Sequence, residues 1–260
     1  MKKNKLLTLY AVLVFAFLML PLVIISITAF GTGPTIVFPI EGFTMDWFIK
    51  VFESDSFVSS FLSSVKISLL ATFLALLVGV PSAYALAKSK MWGRNLLKSF
   101  FLSPTIVPGI VIGFVLFQFF VLSLNIDLSI ALLTGHFLVT LPYVIRVVGS
   151  TLDQFDFSVE EAAWSLGCSK VPAFFKVVLP NITSGISAAF MLGFINSFNN
   201  IPVSMFLTGP GMTTFPATLM SYIEYNYDPT VSAISVILMS LTLIMMIIVD
   251  RTLGIASLTK

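Results

Sequence analysis

Six apolar runs, near residues 6–30, 61–86, 96–122, 129–149, 182–207 and 231–249, dominate the chain. Each meets the roughly 20 residues that carry a helix across a hydrocarbon core of about 30 Å. None shows the period-two alternation of a membrane β-barrel. The runs leave little polar sequence: 10% of the residues are charged and 57% hydrophobic, where a soluble domain carries about 25% charged residues. An all-α integral membrane protein with six transmembrane helices follows. With so little chain left over, residues 1–260 read as a single transmembrane domain.

Lysine and arginine in short loops mark the cytoplasmic side. Lys2, Lys3 and Lys5 precede the first run, and Lys88, Lys90, Arg94 and Lys98 separate the second from the third. The alternate connections are acidic, with Glu41, Asp46, Glu53 and Asp55, then Asp127, then Glu224 and Asp228. An even number of spans returns Arg251 and Lys260 inside, so both termini and residues 150–181 are expected in the cytoplasm. The first run exceeds the 7–15 residues of a signal-peptide core and is expected to stay as a span. One cysteine, Cys168, and one histidine, His136, make neither a disulfide nor a metal site; His136 reads as a polar residue packed within the bundle.

Within the spans, small residues and prolines carry the information. Gly79 to Ala87 is a small-residue end around Pro81, and Pro104 and Pro108 predict a kink in the third run. Gly109 and Gly113 form a small-xxx-small pair, read as helix packing ahead of a moving interface. In the fifth run Gly185, Ala189 and Gly193 share a face that continues to Asn196, Asn199 and Asn200. Amides at that depth face other helices or a water-filled path. Outside the spans, Met45 to Phe48 predicts an amphipathic interfacial segment, while Tyr222, Tyr225 and Tyr227 mark either an aromatic belt or an external contact.

Residues 150–181 form the long polar interruption. Ser158 and Glu161 fit a capping box opening a short helix that Gly167 ends. Ser169 starts a second helix with Pro172 in its first turn, and Leu179-Pro180 ends it. Phe174, Phe175, Val177 and Val178 supply an apolar surface suited to a groove on a cytoplasmic partner.

Glu161-Ala162-Ala163, three residues, Gly167, nine residues, Val177, one residue, then Leu179-Pro180 resembles the EAA signature of permease subunits of binding-protein-dependent ABC importers, with Val177 for the usual isoleucine. The resemblance covers nearly the whole chain and implies a MetI-like, type I importer permease in the bacterial inner membrane. It implies that Glu160, Glu161, Ala162, Ala163, Gly167, Val177, Leu179 and Pro180 couple to a dimeric cytoplasmic ATP-binding subunit. It also implies a second permease subunit, expected to differ from this one, and an extracytoplasmic solute-binding protein. No G-x-x-x-x-G-K-[ST] occurs, so ATP and Mg²⁺ are expected on the partner, with no cofactor, metal, catalytic residue or nucleic acid on this chain.

Ser103-Pro104 to Gly109 and Ser204 to Pro210 are most similar to the spermidine/putrescine-type second permeases. Where those tend to carry acidic residues, this chain has Asn199 and Asn200, and a polycation gains less from amides than from carboxylates. The solute stays open between a polyamine and another small organic molecule. With Asn196, these amides are the candidate translocation path. A stand-alone secondary transporter or channel is the alternative, but neither inverted repeats nor a buried charge relay is visible. A membrane enzyme lacks any catalytic pair.

Overall fold

The computed structural model describes residues 5–89 and 92–253, without the side chains of residues 245, 248–250, 252 and 253. Lys2, Lys3, Lys90 and Lys260, used above for sidedness, lie outside the described residues. The helices are α1 (Lys5–Thr28), α2 (Asp46–Glu53), α3 (Asp55–Lys88), α4 (Arg94–Leu102), α5 (Gly109–Leu116), α6 (Leu128–Leu152), α7 (Ser158–Ser165), α8 (Lys170–Ala173), α9 (Leu179–Asn181), α10 (Thr183–Phe198), α11 (Ile201–Ser204), α12 (Phe215–Tyr225) and α13 (Thr230–Leu253). A 3₁₀ turn, Ser103–Thr105, follows α4, and π-helical turns follow α5 (Phe117–Ser123) and α8 (Phe174–Val178). No strand occurs among the described residues.

Three helices, α1, α3 and α6, are long and apolar enough to cross a membrane, and two bent pairs raise the number to as many as five. The last apolar run is helical as α13. The third run is broken where a kink was expected, and the fifth is bent at its start, just after the expected end of the polar segment at Leu179-Pro180, and interrupted after Phe198. Arg94–Thr105 meets Gly109–Ser123 at 87°, and Lys170–Asn181 meets Thr183–Phe198 at 73°. In the first pair, Pro108 has no N–H for the carbonyl four residues back and disfavours helical geometry at Val107; it serves instead as N-cap of α5. The predicted kink is therefore a full break. At the C-terminal end of α10, Pro202 does the same to the carbonyl of Phe198, and the helix stops there instead of running to Leu207. The Thr208–Gly211 cluster closes as a tight turn, with Gly209 and Met212 exchanging backbone bonds of 3.0 Å and Gly211 at φ +77°.

The described residues pack as two units, one within 5–59 and 218–247 and the other within 60–89, 92–217 and 248–253. In the first, α1 buries only Thr28, whose hydroxyl meets Ser232 at 3.1 Å. The amphipathic segment expected at Met45 to Phe48 is α2, held by Trp47 Nε1 donating to the Gly31 carbonyl at 2.7 Å. Lys50 Nζ and the Tyr222 hydroxyl both donate to Asp228 Oδ2, at 2.7 and 2.8 Å. The bond to Asp228 holds the Lys50 ammonium above its ordinary value. Burial pushes the Asp228 carboxyl up, but the Lys50, Thr230 and Tyr222 donors outweigh it and hold the group below the carboxylate range.

The signs fix a window. A lowered carboxyl stabilises above its unfolded pKa of about 3.9 and loses that as pH falls through the folded value; a raised ammonium stabilises below about 10.4 and loses it as pH rises. The difference in thermal midpoint between the parent chain and Asp228→Asn is thus expected to stay flat from about pH 5 to 9 and to shrink below about pH 4. A difference that grows on acidification would contradict the pairing.

In the second unit α6 is the central element, with residues from Ala131 to Leu152 buried along its length. One apolar cluster joins Ala75, Val80 and Ala83 of α3, Val144, Val148 and Leu152 of α6, and Val178, Ile182 and Ala189. A second joins Ile67, Leu116, Leu132, Val203 and Leu207. The small residues let these helices approach. A Cβ on Gly79 would lie 2.6 Å from Val144 Cγ1, and one on Gly193 would lie 3.0 Å from Thr140 Cγ2. Gly109 and Gly113 face Pro202 and Val203 of α11, so that pair is helix packing.

Candidate coupling site

The 158–181 segment is built from local rules that the sequence only partly exposes. Asp156 Oδ1 accepts the Ser158 N–H at 2.9 Å, and this backbone bond holds the Asp156 carboxyl below its usual range. The α7 start therefore rests on Asp156, and the expected Ser158–Glu161 capping box is absent, with Phe157 as N-cap and no side-chain cap bond. The stop behaves as expected. Gly167 sits at φ +90°, Cys168 N–H reaches the Ala163 carbonyl at 3.0 Å and Gly167 N–H the Trp164 carbonyl at 2.9 Å, the paired bonds of a Schellman ending. Ser169 precedes α8 without a side-chain cap bond, and Pro172 falls inside that short helix.

Glu160 turns out to be the anchor. Its side chain is wholly buried, its Oε1 accepts from the Tyr84 hydroxyl at 2.5 Å, and its Oε2 accepts from Lys88 Nζ at 2.6 Å. Lys88 Nζ also contacts the Tyr84 hydroxyl at 3.0 Å and lies 3.7 Å from the centroid of the Trp164 ring. A buried carboxylate is tolerable only when paired and hydrogen-bonded, and Tyr84 and Lys88, one helical turn apart at the end of α3, meet that need. Phe174 completes the collar, with its ring 4.8 Å from that of Tyr84.

The predicted coupling residues separate into two groups. Glu160 faces inward, and Leu179 packs against the first apolar cluster. Glu161, Ala162, Gly167 and Pro180 are exposed, while Ala163 and Val177 are half-buried. The expected apolar surface needs correction: Val178 is fully buried and Phe174 faces Tyr84. Its outward members are Val159, Leu166, Val171 and Phe175, with Leu166 89% exposed. Beside them lies a groove of about 510 Å³ lined by Pro81, Tyr84, Lys88, Trp164, Lys170, Val171, Phe174 and Phe175. The Trp164 Nε1–H is buried without an acceptor.

Tyr84 and Trp164 carry no role in the sequence reading, and Lys88 enters it only as a marker of sidedness. The available signal was a tyrosine and a lysine at i, i+4 closing an apolar run, yet nothing along the chain pairs them with Glu160.

The three amides do not form one stripe. Asn196 is on α10 with a buried, unpartnered Oδ1; Asn199 is the exposed C-cap; Asn200 lies beyond the break and accepts the Val203 N–H at 3.1 Å as N-cap of α11. His136 ties that break together. Its Nδ1 is 2.9 Å from Ser197 Oγ of α10 and its Nε2 is 3.1 Å from Ser204 Oγ of α11, and Ser204 donates to the Asn200 carbonyl at 2.6 Å. Ser204 has one proton and gives it to that carbonyl, so it accepts from Nε2–H, while Nδ1 accepts from Ser197. This is the packed, satisfied histidine expected.

Residues 71–252 match the family model described as "Binding-protein-dependent transport system inner membrane component". The chain is 30% identical over 237 residues to the spermidine/putrescine transport system permease protein PotC of Escherichia coli (strain K12), covering 90% of this chain and 88% of that one. It is 26% identical over 232 residues to the putrescine transport system permease protein PotI of the same strain, covering 86% of this chain and 82% of that one. Among solved structures, a chain of a bacterial ABC transporter involved in the import of the acidic polysaccharide alginate superposes with a TM-score of 0.64 at 18% identity, over 98% of this chain and 97% of that one. The chain belongs to the family of binding-protein-dependent inner-membrane transport components, the permease subunits of ABC importers, in which ATP hydrolysis lies on separate subunits.

Proposed function

We propose that this permease supplies half of a translocation path, with six spans and both termini on the cytoplasmic side, and that residues 158–181 receive the stroke of a partner ATPase. Its working assembly contains a second, different permease, two ATP-binding subunits that hold ATP and Mg²⁺, and an extracytoplasmic solute-binding protein. The observation that carries the reading is the α7–α8 hairpin: tied inward by Glu160, apolar outward through Leu166, Val171 and Phe175, and flanked by the Trp164 groove.

Gly167 tests the coupling. A Cβ there would meet nothing within 4 Å, so its requirement is conformational. Proline fixes φ near −65° and cannot adopt +90°. Gly167→Pro is expected to leave membrane insertion intact and to abolish ATP-coupled uptake in reconstituted vesicles. Gly167→Ala, facing only the left-handed penalty of about 1–2 kcal/mol, should keep measurable uptake. Normal uptake by the proline variant would overturn the coupling role.

The solute class is a polyamine or a similar small organic cation, supported by the names of the two E. coli relatives. The neutral amides favour a second reading, a neutral or zwitterionic solute. Asn196→Ala and Asn199→Ala are expected to change the preference between putrescine and neutral competitors by several-fold without loss of assembly. Asn200→Ala is expected to cost about 1 kcal/mol of stability as a lost cap and to leave preference unchanged. Competition uptake alongside unfolding midpoints separates the two effects. If Asn196→Ala and Asn199→Ala impair only assembly, the amides are packing residues.

A further inference from the structure

A second cleft, about 470 Å³, opens between α3, α4 and the C-terminal end of α6, and shares no lining residue with the hairpin's groove. That volume falls within the roughly 300–1,000 Å³ of small-ligand sites. Arg94, Lys98 and Arg146 line it, along with one carboxylate, Asp153. The nearest ion pair, Arg94 to Asp153, is long at 3.8 Å and well exposed, with side chains 38% and 52% accessible, so it neutralises little. The rest of the lining is apolar, Leu86, Leu102 and Ile106 among it, with hydroxyls from Thr105 and Ser150.

The placement of α4 says what such a cleft faces. The Arg94–Thr105 segment stands at 87° to Gly109–Ser123. With Gly109–Ser123 crossing the bilayer, α4 lies along the membrane surface. It is amphipathic: Leu96 and Phe100 are 76% and 68% exposed, while Arg94 and Lys98, one turn apart, line the cleft. An exposed apolar face beside paired cations is the composition of an interfacial helix, and the adjoining Trp92, 99% exposed, is an interfacial anchor. Cations grouped over an apolar floor at headgroup depth recognise an anion carrying hydrocarbon.

We infer that this cleft binds the headgroup of an anionic phospholipid from the leaflet on the hairpin side, its phosphate held by Arg94, Lys98 and Arg146 and its chains running over Leu102 and Ile106. The inference rests on the membrane reading and not on the coupling role.

The test uses the full-length chain in detergent, offered phosphatidylglycerol or phosphatidylcholine of identical acyl chains, with bound lipid read by native mass spectrometry. Phosphatidylglycerol is expected to be retained at least about tenfold better. The combined Arg94→Gln, Lys98→Gln, Arg146→Gln variant is expected to lose about a hundredfold in retention, given roughly fivefold per cation. Lys170→Gln with Lys176→Gln removes charge from the same side outside the cleft and should retain lipid as the parent does. Should the triple variant misfold, Arg146→Gln against Arg146→Lys decides, with retention lost only in the glutamine form. Equal retention of both lipids, or parental retention by Arg146→Gln, overturns the inference. Excess inorganic phosphate or soluble glycerophosphoglycerol should fail to displace the lipid; displacement by either assigns the cleft to a soluble phosphate and also overturns it. Because bound lipid is read on the chain itself, failure of ATP-coupled import with lipid retained would count against the coupling proposal alone.

Discussion

Lys88→Met is expected to destabilise the folded chain by about 3–5 kcal/mol, the cost of stranding a buried charge, and to stop ATP-coupled uptake. Glu160 has no exposed surface, and Lys88 supplies its only ionic partner among the described residues. Without Lys88, the Tyr84 hydroxyl alone faces a carboxylate that water does not reach. The double variant Lys88→Met, Glu160→Gln should recover a substantial part of the loss, because a neutral amide needs no counter-charge and can still accept from Tyr84. With Glu160→Gln as the fourth chain, unfolding free energies of parent, single and double variants in detergent give the coupling energy. Additive losses in the double variant would show that Lys88 and Glu160 do not act as a pair.

The second large effect is expected at Gly113. A Cβ there would lie 3.0 Å from the Pro202 carbonyl oxygen and 3.1 Å from Val203 Cα and its carbonyl oxygen. All three contacts are backbone, so no side chain can rotate away, and α5 and α11 must separate. Gly113→Ala is expected to cost about 1–3 kcal/mol as overpacking, and Gly113→Val more. Gly149, also on a helix, has nothing within 4 Å of its Cβ position. Gly149→Ala should be neutral or stabilising by up to about 1 kcal/mol. Comparable losses at both glycines would remove close packing as the explanation.

These cases show what the sequence could and could not reveal. Apolar run length located α1, α3, α6 and α13 well, because spanning length is a property of a local stretch. The turns at Pro108 and Pro202 were marked by proline, but their size was not. Whether a proline kinks or breaks a helix depends on what receives the freed backbone, and here Pro108 becomes an N-cap and Asn200 caps α11. The Gly167 ending was fully legible, since a Schellman ending is local. The capping box failed because Asp156, two residues before Ser158, captured the backbone donor first. Least legible was the Tyr84–Lys88–Glu160–Trp164 group, in which Tyr84 and Lys88 lie 76 and 72 residues from Glu160 along the chain and meet it only through tertiary packing.

The histidine bridge has a mechanical consequence. His136 holds a hydroxyl from each side of the interruption at residues 199–200, so α6, α10 and α11 are riveted where the fifth run would otherwise be weakest. The 16 residues of α10 span about 24 Å, a stiff rod with its far end bolted to two neighbours. Under the proposed coupling role, a push delivered at the hairpin would not dissipate as bending at the interruption but would arrive as displacement of the joined α6, α10 and α11, with the slack for that movement found in the bend at Ile182.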